Sequence, residues 1–162
     1  MMTLNLDMCD VDFRLAIRNW KETGINDESS FTEWADVDFS LKGKYIDYAF
    51  DGEALLCSEV VFLRNRLEAL LDGREANERI LSFAEPDFEF RLFPAGSRGG
   101  DDVSMKMIVH FWYDEGGLGS NAFSMDFDRQ KITALYMYLL LVTGKLEEGD
   151  PRIAWTGAII PD

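Results

Sequence analysis

Three Asp-x-Asp pairs are the residues of this chain best placed by type and spacing to do chemistry: Asp10 with Asp12, Asp36 with Asp38, and Asp126 with Asp128. On a strand, residues two apart point to the same face, so each pair has the geometry to share a Mg²⁺ or Ca²⁺ through oxygen ligands. None sits in a calcium-loop spacing, and alternate carboxylates are what any solvated strand face of an acidic chain carries. His110 is the only histidine. It lies opposite in parity to the apolar face Met105 to Tyr113, which reads as a structural or surface position, and no nucleophile-elbow motif accompanies it. Cys9 and Cys57 lack redox or zinc spacing and read as small apolar residues. Gly116, Gly117 and Gly119 precede a strand, not a helix, and no Gly-Lys-Ser/Thr follows, so they make a turn and no phosphate cradle. The expectation is no catalytic residue, no metal and no cofactor.

The segment from Glu22 to Asp38 is more distinctive. Glu22, Asp27, Glu28, Glu33, Asp36 and Asp38 follow Lys21 without another basic residue, and Phe31 and Trp34 lie among them. The pattern is that of a solvated loop with a core-docked tryptophan, or of a partner-binding patch in which charge steers and an aromatic anchors. Asp114 with Glu115, and Glu147, Glu148 and Asp150, extend the same character. Thirty acidic against sixteen basic residues give a net charge of −14. That balance repels nucleic-acid backbones and anionic membranes and favours a cationic protein partner.

The elements that must position these groups follow from periodicity. At 162 residues, 47% hydrophobic and 13% aromatic, the chain is expected to fold as a single domain, 1–162. Val11, Phe13, Leu15 and Ile17 alternate with Asp12, Arg14, Ala16 and Arg18, and Val37, Phe39 and Leu41 with Asp36, Asp38 and Ser40; Ile46, Tyr48 and Phe50 then share a face, the latter two runs forming a hairpin across Lys42 and Gly43. A helix over 58–72 follows, with Ser58 as N-cap and Gly73 as its stop. Strands over 79–83 and 88–93, a glycine-rich loop over 95–102, and a hairpin of Met105 to Tyr113 with Phe123 to Phe127 come next. Asp128 caps a last helix over 128–143, closed by Gly144. Strand-strand-helix thus occurs twice. The predicted fold is α+β: one antiparallel sheet built from the two units, two helices packed on one face, a ββα-ββ-ββα core over 34–143 and an extension over 144–162. The start of the chain has no basic residue before Arg14, unlike a secretory signal, and no apolar run reaches the ~20 residues of a membrane span, so cytoplasmic residence is expected.

Leu55 to Val61 leading into Leu63, Leu67 and Leu70, then Phe83, Glu85, Pro86, Phe88, Glu89 and Phe90, then Phe123, Phe127, Asp128 and the closing helix, resemble the WapI family of bacterial immunity proteins over roughly 34–143. The resemblance implies a small cytosolic protein that binds and neutralises the toxin domain encoded beside it, without catalysis. Two other readings stay open at the level of residues: a small hydrolase using one Asp-x-Asp pair and a divalent ion, and an acidic nucleic-acid mimic that regulates a basic protein.

Overall fold

The computed structural model describes residues 1–22, 33–85, 87–97, 100–111 and 121–162. Its first sheet is built from β1 (Met2–Asp7), β2 (Val11–Arg18), β3 (Trp34–Gly43) and β4 (Asp47–Leu56), joined by β9 (Ile159–Pro161) from the end of the chain. The order is β4-β3-β2-β1-β9 and every pairing is antiparallel. Alternation decides the faces: Leu4, Leu6, Phe13, Leu15, Ile17, Val37, Phe39 and Leu41 are buried on one side, and the residues between them face outward. The hairpin at Lys42 and Gly43 forms as expected, with Gly43 N–H donating to Ile46 O at 2.8 Å. A Cβ on Gly43 would meet Asp10 O at 2.6 Å, so only glycine lets the β1–β2 turn pass that close. β1 and β9 have no counterpart in the sequence-based expectation, which treated the end of the chain as an extension; it supplies instead a sheet strand.

Helix α1 (Cys57–Leu71) follows β4 directly. Its N-cap is Leu56, not Ser58. Glu59 does the capping from inside the first turn, accepting Leu56 N–H at 2.9 Å and Ala84 N–H at 2.6 Å. One carboxylate therefore starts the helix and ties it to the strand that follows. Gly73, at φ 79°, ends the helix as expected.

The second sheet, β5 (Arg79–Ser82), β6 (Phe88–Phe93), β7 (Ser104–Phe111) and β8 (Asn121–Phe127), pairs in sequence order, again antiparallel. Two sheets replace the single sheet the repeated units suggested. Each buries an apolar face against the other through aromatic contacts: Phe13 with Phe127 at 5.8 Å, Phe39 with Phe88 at 5.2 Å and Tyr48 with Phe111 at 4.6 Å between ring centroids. Two half-apolar sheets bury more by facing each other than by extending edge to edge, and periodicity does not encode that choice.

Helix α2 (Arg129–Val142) is capped by Asp128, which accepts Lys131 N–H at 2.9 Å. It packs on α1 through Arg64 to Thr143 Oγ1 at 2.8 Å, Tyr136 Oη to Glu68 at 2.9 Å and Arg129 to Leu71 O at 3.2 Å. The buried Tyr138 hydroxyl accepts Ile17 N–H at 2.7 Å, tying α2 to β2. A short helix α3 (Pro151–Thr156) lies against α2 and delivers β9 to β1.

Candidate functional site: the outer face of the five-stranded sheet

The outward residues of β1 to β4 can be placed by register. Asn5 and Asp7 face Arg14 and Asp12; Asp12, Arg14, Ala16 and Arg18 face Lys42, Ser40, Asp38 and Asp36; Asp36, Asp38, Ser40 and Lys42 face Glu53, Asp51, Ala49 and Asp47. Three of these cross-strand pairs are acid against acid: Asp7 with Asp12, Asp38 with Asp51, and Asp36 with Glu53. Like charges directly opposite on a sheet are destabilising, by roughly 0.2–1 kcal/mol a pair.

Part of this repulsion is offset on the face itself. Arg14 bridges Asp38 at 2.7 Å and Asp162 at 2.6 Å, and these hydrogen bonds, Asp38 first, raise its already high pKa. Arg18 pairs with Asp51, and Asn19 donates to Asp36. Glu53 is exposed and has no cation partner among the described residues. The face is therefore acidic and partly uncompensated.

At the start of β3 the acidic face meets an aromatic one. Glu33, Trp34 and Asp36 line a hollow of about 720 Å³ with Asn19, Trp20, Lys21 and Glu53. A β-bulge between Ala35 and Asp36 sits beside it, a device that re-aims side chains. Trp20 donates to Cys57 O at 3.0 Å and packs against the core, whereas Trp34 is half-buried and outside the core cluster. Lys21 reaches Glu33 at 3.2 Å. Of the residues singled out from the sequence, Glu33, Trp34 and Asp36 come together here, Asp38 lies further along the same face, and Glu22 is exposed beside Lys21. Asp27, Glu28 and Phe31 lie outside the described residues.

Sequence reasoning weighed Asp12 only as half of a metal-binding pair with Asp10, and passed over Arg14, Asp47, Asp51 and Glu53. Asp47 and Asp51 alternate with Ile46, Tyr48 and Phe50, so the period of that run already put them on its outward face; Glu53 lies beyond the run, and register brings all three beside Asp36 and Asp38. The other Asp-x-Asp pairs separate: Asp126 binds Lys106 at 2.8 Å while Asp128 caps α2, and Asp10 lies in the β1–β2 turn at φ 74° while Asp12 is on the sheet. Among the described residues, no group of three or more histidine, cysteine, aspartate or glutamate side chains is placed to hold a metal ion. His110 is half-buried on β7, its N–H donating to Asp87 O at 2.9 Å. Cys57 is buried as expected, but Cys9 is exposed in a left-handed turn at φ 57°. Cys9 also follows the outward parity of Asn5 and Asp7, whereas Leu4, Leu6 and Met8 are the buried positions. No described helix is long and apolar enough to cross a membrane.

Fold and face together define an α+β protein of two packed antiparallel sheets, one of which turns an acidic surface outward. The chain belongs to the immunity protein WapI-like family, whose model matches residues 8–141. The match begins well ahead of residue 34, taking in β2, and leaves out all of β1, α3 and β9. No curated protein matches the chain.

Proposed function

We propose that this protein is a cytoplasmic immunity protein that neutralises a cationic toxin domain by stoichiometric, non-catalytic binding across the acidic sheet face and the Trp34 hollow at its end. The observation that carries this reading is the pair of like-charged cross-strand contacts without an ion-pair partner among the described residues, Asp7 with Asp12 and Asp36 with Glu53; Asp38 and Asp51, also opposite each other, are paired with Arg14 and Arg18. Such pairs work against folding, so their presence in register is best explained by a partner that neutralises them. A toxin that degrades nucleic acid needs a cationic surface to hold phosphates, and an acidic sheet occupies that surface and excludes substrate at once. Family membership supports a toxin as the partner.

The test is co-expression with the toxin domain encoded beside the gene, followed by purification of the complex. Survival together with a one-to-one complex whose association rate falls steeply with salt is the expected result. Survival without a complex, or a complex indifferent to salt and to Asp36→Asn, would count against the reading.

A further inference from the structure

Among the described residues, strand β4 is the edge of the five-stranded sheet, hydrogen-bonded to β3 on one side only. At 10 residues it is longer than the other sheet edges, β5 (4 residues), β8 (7 residues) and β9 (3 residues). Away from β3, the one hydrogen bond recorded for its backbone among the described residues is Leu56 N–H to Glu59, at its far end. A long edge with unpaired main-chain groups is a template for another strand. Its side chains alternate in a way that specifies which: Asp47, Asp51 and Glu53 are exposed on the outer face, while Tyr48 and Phe50 are half-buried on the other.

Two further features lie on the same strand. A Cβ on Gly52 would meet its own chain no closer than Phe50 at 3.4 Å, so the fold leaves room for a side chain there. Glycine within a strand weakens it and commonly marks a close approach by another backbone. At the start of β4, Tyr45, Ile46 and Tyr48 line a cleft of about 930 Å³ together with Phe111 and Phe123, and Tyr45 is 89% exposed.

We propose that β4 docks an extended segment of a protein partner as an added strand along Asp47 to Glu53. Lysine or arginine at alternate positions would oppose Asp47, Asp51 and Glu53, and an apolar side chain would enter the cleft beside Tyr45. The inference rests on the toxin-binding reading for its biological partner, but the edge can be tested without a toxin. The competing explanation is that the edge carboxylates only prevent self-association.

The probe is a synthetic decapeptide alternating lysine with valine, compared with a scrambled peptide of the same composition and with one N-methylated on the amides of one edge. Binding is read by fluorescence anisotropy and by amide hydrogen exchange of the protein. The alternating peptide is expected to bind at least tenfold more tightly than either control and to slow exchange between Tyr48 and Glu53. Equal affinity for all three peptides, no binding of the alternating one, or slowed exchange elsewhere overturns the added strand. A chain that protects no cell from the toxin overturns the toxin-binding reading, and the peptide result is independent of it.

Discussion

At the scale of single residues, the groups that organise the structure are polar side chains whose two ends serve different elements. Tyr138 fills the core with its ring and accepts Ile17 N–H with its hydroxyl. Burial pushes its pKa up to about 12, the bond from Ile17 pulling slightly the other way. A phenol that ionises later in the folded than in the unfolded chain stabilises fully below about pH 10, and that stability is lost as pH rises towards 12. Tyr138→Phe leaves Ile17 N–H buried without an acceptor and should cost about 1–3 kcal/mol at neutral pH by urea titration. The variant should also lose part of the wild-type decline in stability between pH 10 and 12; an unchanged alkaline profile would show that Tyr138 does not carry it. Local signals of this kind were partly legible. Asp128 and the two glycines after the helices were readable because caps act within a few residues. The cap at Leu56 was not, because Glu59 performs it while also bonding Ala84, a partner 25 positions away.

At the scale of elements, the strands and helices of the middle of the chain were legible because each carries a clean period. Their assembly was not. β1 pairs with β9 across almost the whole chain, and a three-residue strand has too few positions to show alternation. The outer sheet face illustrates the same limit: periodicity puts Glu53 and Asp36 on outward positions, but only register puts them opposite each other. This pairing makes a prediction in which stability and function move in opposite directions. Glu53→Gln removes one charge of an uncompensated pair and should leave the chain as stable or more stable by about 0.2–1 kcal/mol. The same change should slow association with a cationic toxin, a loss that grows as salt is lowered. A thermal melt and stopped-flow association on the same variant measure both; a variant both less stable and equally fast would show that the pair is structural.

At the scale of the whole molecule, one connected core takes in buried side chains from β1, both large helices, both sheets and β9. In the proposed function, the net charge of −14 would act at long range and Trp34 at short range. Opposite charge raises encounter rates by 10–10³ and is screened beyond about 8–10 Å at physiological salt, whereas a desolvated aromatic contact holds the complex once formed. The two tryptophans at the hollow separate these roles from folding. Trp20 packs on the core and donates to Cys57 O, so Trp20→Ala should lower the melting temperature of the free chain, with a cost on the order of 3 kcal/mol. Trp34 is half-buried and outside the core, so Trp34→Ala should leave that melt nearly unchanged. If its ring anchors the toxin, dissociation should quicken by about 30-fold, the equivalent of roughly 2 kcal/mol, while association and its salt dependence stay as in the wild type. A Trp34→Ala chain that melts early and releases the toxin at the wild-type rate would return this residue to a structural role and leave the charged face as the whole of the interface.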